Sequence, residues 1–144
     1  MSVKRSYTTA DFLEWDIMLS VVRKLFRDGD YRMSLFICCR AFFGLRVSNL
    51  RQLRWKDLIS NETFTLSEQN TGKQRTIKIN KDFQQHIRAC HEALKIDNDE
   101  EHYFLSRKRM IYSTQRINIM LKEIKKRYNL KIENFSCHSL RKCF

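Results

Sequence analysis

Three glycines, Gly29, Gly44 and Gly72, and no proline are all that punctuate a chain of 144 residues. Gly and Pro are the strongest local breakers of regular structure, so long helices can run between these points and each glycine marks a boundary. The same scarcity excludes Pro-rich or Gly/Ser linkers and any Gly-rich phosphate cradle of the Walker type. There is no internal repeat. Apolar residues at 42%, with ten Phe and two Trp, can fill a core and exclude an intrinsically disordered chain. The length suits one compact domain, and residues 1–8 read as a basic linker or tail ahead of it.

Between the glycines the hydrophobic spacing predicts the elements. Thr8 or Thr9 can cap a helix running to about Arg27, with Phe12, Trp15, Met18, Leu19, Val22 and Phe26 on one face. Asp28-Gly29-Asp30 is a turn. A second helix follows in which Leu35, Phe36, Cys38, Cys39, Phe42 and Phe43 leave little room for a polar face, so it forms the buried centre until Gly44 stops it. A short third helix is predicted from Ser48, as N-cap, to about Leu53. The period then changes to two. Phe64 and Leu66 alternate with Thr63, Thr65 and Ser67, and Ile77 and Ile79 with Thr76 and Lys78. Asn70-Thr71-Gly72-Lys73 lies between the two runs, which predicts a β-hairpin with its tip near Gly72. Helical spacing returns at Phe83, Ile87, Cys90 and Leu94. It returns again from Ser113 (N-cap) to Tyr128, with Ile117, Met120, Leu121 and Ile124 as the apolar stripe. Residues 136–144 open a last helix. The expected class is α+β, mainly α: a helical domain with a small antiparallel hairpin or three-stranded sheet.

Charge narrows the function. Lys and Arg number 28 against 16 Asp and Glu, a net of +12. Such an excess repels itself unless it meets a polyanion, so nucleic acid or an anionic membrane surface is the natural partner, with a basic but idle surface as the alternative. The excess is uneven: residues 102–144 hold 11 basic side chains and two acids, a local +9, whereas Glu92–Glu101 holds five acids and one Lys. No apolar stretch approaches the ~20 residues that span a bilayer, and no apolar segment follows Lys4 and Arg5 as a secretory signal would require. Five cysteines, two of them adjacent in an apolar run, fit reduced, buried thiols in a cytosolic protein better than disulfides.

Three places carry candidate chemistry. Gly44 ends one helix and Ser48 begins the next, which leaves Arg46 in the link, beside helical amides that favour a bound phosphate. The bland alternative is a surface arginine in a turn. His138 and Arg141 are three apart and share a face if helical, so one phosphate could receive an imidazole N–H and a bidentate guanidinium. Lys73 lies just past the hairpin tip and can reach toward a ligand. Other features point to structure. Cys90-His91 and Cys137-His138 lack the spacing of a zinc chelate, and Cys137 points away from its neighbouring His, as a nucleophile would not. Phe36, Phe42 and Phe43 read as core rather than a base-stacking platform. Lys125-Lys126-Arg127 can grip phosphates or simply complement a helix end.

Taken in order, Gly44-Leu45-Arg46-x-Ser48-x-Leu50 with Leu53-x-Trp55, the basic hairpin Thr71-Gly72-Lys73-x-Arg75-Thr76-Ile77, and His138-x-Leu140-Arg141 resemble the catalytic domain of the tyrosine recombinases, or phage integrases. The resemblance runs from about Thr9 to Phe144. It implies DNA integration or site-specific recombination by a mobile element: a tyrosine attacks a phosphodiester of duplex DNA and forms a 3′-phosphotyrosine, with no metal or cofactor. Arg46 and Arg141 would clamp the scissile phosphate. His138 would donate to it or manage the tyrosine proton, and Lys73 would protonate the departing 5′-oxygen. It also implies a bacterial cytosolic location, a tetrameric synapse with intact protomers and no membrane partner.

The chain departs from the family pattern in three ways. The family lysine usually precedes the Thr-Gly pair, where Asn70 stands here, so Lys73 takes the role from the other side of the turn. Three residues after the first arginine the family is commonly acidic, and this chain has Asn49. All five tyrosines (Tyr7, Tyr31, Tyr103, Tyr112 and Tyr128) precede the family position of the nucleophile. The expectation is a catalytic domain truncated before that tyrosine, inactive alone and monomeric. The alternative is an inactive DNA-binding relative that regulates or competes with an intact recombinase.

Overall fold

The computed structural model describes residues 14–44, 46–50, 52–59, 62–67, 72–103, 112–132 and 135. Helix α1 (Trp15–Arg27) buries Met18, Val21, Val22 and Leu25. These positions follow i, i+3, i+4, i+7 and define the apolar face. Trp15, Leu19 and Phe26, expected at its centre, are half-buried at its margins. The helix begins at Trp15 behind an extended Glu14 (φ −65°, ψ 149°) and not at the predicted cap. Thr8, Thr9 and Phe12 lie outside the described residues.

Helix α2 (Tyr31–Phe43) is the predicted central helix and is buried on nearly every side. It packs against α1 across the Asp28–Asp30 turn. Gly44 ends it in the left-handed region (φ 63°, ψ 21°), its N–H donating to the Arg40 carbonyl at 3.1 Å. This is the αL stop that glycine adopts without a Cβ penalty.

The next segment corrects the sequence reading. Helix α3 is one turn, Val47–Leu50, and Ser48 lies inside it instead of capping it. Arg46 occupies the N-cap position: its carbonyl accepts from the amides of Asn49 (3.0 Å) and Leu50 (3.1 Å). The helix stops short of Leu53, which is buried in the following link. A further helix, α4 (Trp55–Ile59), was not anticipated. Asp57 Oδ2 accepts from the Arg54 N–H at 2.9 Å, and the amides of Trp55 and Lys56 donate to the carbonyls of Glu101 (3.0 Å) and Asp99 (2.9 Å). Its first turn is thus satisfied largely by a loop remote in sequence, and no local pattern announces it.

Strands β1 (Thr63–Ser67) and β2 (Gln74–Lys78) pair antiparallel with Phe64 opposite Ile77. Gly72 precedes β2 with φ 68°. The sheet has two strands among the described residues. The third strand allowed by the sequence is reduced there to one bridge, Arg54 to His102. Helix α5 (Lys81–Ala93) is capped by Asn80, whose side chain accepts from the Asp82 amide, and buries Phe83, Ile87 and Cys90. Helix α6 (Thr114–Arg127) is capped as predicted by Ser113 and buries Ile117, Leu121 and Ile124. The result is a mainly helical domain with one small hairpin. The helix expected over 136–144 lies outside the described residues.

Candidate active site

Arg46 is exposed in the link between α2 and α3, where the breaker pattern placed it. An aromatic cluster fixes the position of that link. Phe43, three residues earlier, meets Phe64 of β1 edge-on (ring centroids 5.0 Å, 72°) and also touches Phe83 of α5 (5.1 Å). Phe42 stacks on Phe83 at 4.7 Å and receives Trp15 of α1 at 5.0 Å. Offset and edge contacts of this kind add roughly 0.5–1.5 kcal/mol each beyond area burial. The end of α2, the base of the hairpin and the start of α5 are therefore one packed unit. Lys73, exposed at the entry to β2, is carried by the same hairpin.

Of the four predicted site residues, Arg46 and Lys73 are described, and His138 and Arg141 lie outside the described residues. The chain leading toward the latter pair is anchored: Ile132 (3% exposed) and Phe135 (2% exposed) belong to the core. Because α3 is a single turn, the helical amide field expected beside Arg46 is small.

Two polar residues near this link are buried. Arg40, on α2, is 2% exposed, and Asn49, on α3, is 5% exposed. The Arg40 charge and the Cys39 thiol both act on the fully buried hydroxyl of Tyr103. Burial nevertheless raises the Tyr103 pKa well above the ordinary phenol. The Arg32 guanidinium holds the Tyr103 carbonyl at 2.9 Å. A charged residue inside a run with no polar face was the signal for Arg40, and the sequence reading passed over it.

The acidic loop is occupied with its own neighbours. Glu100 pairs with Lys56 (3.0 Å) and Arg54 (3.7 Å), and Asp99 Oδ1 lies 2.8 Å from His91 Nε2. Its negative charge is spent on α4 and α5. Among the described residues, no group of three or more His, Cys, Asp or Glu could hold a metal ion, and no helix is long and apolar enough to cross a membrane. Cys38, Cys39 and Cys90 are buried free thiols, and burial pushes Cys90 up to about 12 and the other two higher. Phe36 and Phe43 are core as expected, with Phe42 half-buried beside them.

Among curated proteins no sequence match is found. Solved structures do match. The XerA recombinase aligns with a TM-score of 0.72 at 21% identity, over 90% of this chain and 47% of that one. The lambda integrase catalytic core gives 0.67 at 18% identity, over 92% and 80%. The Tn1549 transposon integrase in complex with transposon right end DNA gives 0.64 at 21% identity, over 88% and 48%. The chain thus spans about half the length of the XerA chain. The hairpin, the glycine-stopped central helix and the arginine after it belong to a stretch, residues 16–144, that matches the phage integrase family throughout; the chain belongs to that family.

Proposed function

We propose that this chain is the phosphate-gripping core of a DNA integrase or site-specific recombinase, acting on duplex DNA by transesterification at phosphorus. The observation that carries the reading is the placement of Arg46: a guanidinium in a glycine-stopped link, fastened through Phe43 and Phe64 to the hairpin that bears Lys73. The pentacovalent transition state carries more charge on its equatorial oxygens than the ground state, so pre-aimed planar donors at Arg46 and Arg141 stabilise it selectively. His138 donates to the same phosphate. Lys73 delivers a proton to the departing 5′-oxygen, so the alcohol and not the alkoxide leaves. Tyr103 is sealed in the core and the Tyr128 hydroxyl is committed to Asp28, so neither is free to serve as the nucleophile. The protein works in the cytosol and assembles on DNA with further protomers. The solved relatives include XerH on its difH substrate and lambda integrase on a COC′ core site, which supports duplex DNA as the partner.

The test is duplex binding across a salt series, together with strand cleavage by a form that carries the family's nucleophilic tyrosine. Binding should weaken steeply with salt, and Arg46→Ala should reduce the log–log slope by about 0.9, one released counterion. Cleavage should fall by about 100-fold or more, as expected for loss of one preorganised anion donor. Unaltered cleavage in Arg46→Ala would sink the assignment. The 144-residue chain alone should form no covalent adduct on a nicked duplex.

A further inference from the structure

The cations along α4 and around the α1–α2 turn have partners: Arg54 and Lys56 hold Glu100, Arg27 holds Asp28 and Arg127 holds Asp30. The open cleft between the base of the hairpin and α5 is different. Lys78, Lys81 and Arg88 line it, all three exposed, and no side chain of the three makes a hydrogen bond or ion pair among the described residues. Glu62 and Asp82 belong to the same lining, yet neither carboxylate pairs with these cations. Like charges gathered in a concave surface and left unpaired repel one another until an external anion arrives.

The cleft opens away from the Arg46 link. Phe43, at the end of α2, packs on Phe64 of β1 and Phe83 of α5. In the hairpin register Phe64 stands opposite Ile77 and Thr63 opposite Lys78, so Lys78 projects from the other face of the sheet. On α5, Lys81, Gln84, Gln85 and Arg88 follow i, i+3, i+4, i+7, the face opposite the buried Phe83, Ile87 and Cys90. The hairpin and α5 therefore stand between the link and the cleft, and one duplex laid on Arg46 does not also fill the cleft. We propose that the cleft is a second DNA-binding surface, which grips the phosphate backbone of a separate duplex segment through Lys78, Lys81 and Arg88. This rests on the reading of the chain as a protein that acts on duplex DNA. The amides of Gln84 and Gln85 add hydrogen-bond donors for phosphate oxygens, contacts that position a duplex without reading its sequence. Strand exchange joins two duplex segments, and a chain with phosphate surfaces on opposite sides holds both.

A bridging assay tests this: the full chain is bound to an immobilised duplex, and capture of a second, fluorescent duplex is measured across a salt series. Binding of one labelled duplex in solution is measured in parallel. The wild-type chain should bridge, with capture falling steeply as salt rises. Lys78→Gln/Lys81→Gln/Arg88→Gln should cut capture by about tenfold or more and lower its log–log salt slope by about 2.7, three counterions at about 0.9 each, while one duplex still binds in solution. Arg23→Gln/Lys122→Gln/Lys131→Gln removes the same charge from exposed positions outside the cleft and should leave capture near the wild-type level. The urea midpoint of each variant checks that the fold is intact. Absence of bridging by the wild-type chain overturns the proposal. So does wild-type capture in the cleft variant, which would leave the cleft to an acidic protein partner. Equal losses in the two triple variants overturn it as well, since net charge alone would then account for the effect. Unchanged affinity and salt slope of one duplex in Arg46→Ala would instead overturn the phosphate reading, and so the two failures are distinct.

Discussion

Tyr128 donates its hydroxyl to Oδ2 of Asp28 at 2.6 Å, fastening the C-terminal end of α6 to the turn between α1 and α2. Arg127 reinforces the junction from 3.6 Å on Asp30, and the Lys24 ammonium lies 5.8 Å from the centre of the Tyr128 ring. The Asp28 carboxyl is held below the ordinary value of 3.8, first by the hydrogen bond from Arg27 and then by that from Tyr128. Tyr128→Phe should raise the Asp28 pKa while leaving it below the ordinary value, because Arg27 remains. An NMR titration of the carboxyl reads this directly. The contribution of Asp28 to stability is present above its unfolded pKa and lost as pH falls through the folded one, so the variant should be less distinct from wild type in acid than at neutrality.

His86 predicts a second pH effect. The Ser34 hydroxyl donates to the Val22 carbonyl at 2.8 Å, which leaves its oxygen to accept from His86 Nε2 at 3.1 Å. Phe26 and the Cys90 thiol complete the surroundings. Burial lowers the His86 pKa from 6.5. The unfolded chain therefore binds more protons between the two values, and the stability this site confers is full above about pH 6.5 and declines as pH falls through the folded pKa. Urea midpoints at about pH 7.5 and about pH 5.5 should differ in wild type and differ less in His86→Gln.

Gly44→Ala should destabilise by about 1–2 kcal/mol, because Gly44 sits at φ 63° and a Cβ there meets the carbonyl oxygen. Urea unfolding measures the loss. A neutral result would mean that α2 ends in another way.

These positions also show what could be read from the chain in advance. Gly44 and Ser113 act through neighbours three or four residues away, so their helix ends were legible as local patterns. Helix α4 was not, because the acceptors for its first amides come from Asp99 and Glu101. The face of α1 was read slightly rotated, since Leu19 and Phe26 look as apolar as Val21 and Leu25 and only packing against α2 decides among them. At the candidate site, the Gly-x-Arg link and the hairpin lysine were visible as motifs. The burial of Arg40 and Asn49 is a property of packing, which a linear pattern does not encode.

The thiols give a simple check on the core. Cys38, Cys39 and Cys90 are buried with raised pKa values, and only the thiolate reacts. Against a disulfide reagent at about pH 8, these three should stay protected until denaturant is added. Labelling of any of them at the rate of a free thiol in native buffer would contradict the packing of α2 against α5.

The capping of α4 by Asp99 and Glu101 has a bearing on the order of events as the chain is made. During synthesis from the N-terminus, the amides of Trp55 and Lys56 emerge well before their acceptors and wait in water until the loop after α5 arrives. Closing that long span is an entropic cost met only late. Helix α4 is thus completed by the nascent chain only after α5 has been laid down, and a polypeptide released before Asp99 and Glu101 would carry the first amides of α4 uncapped.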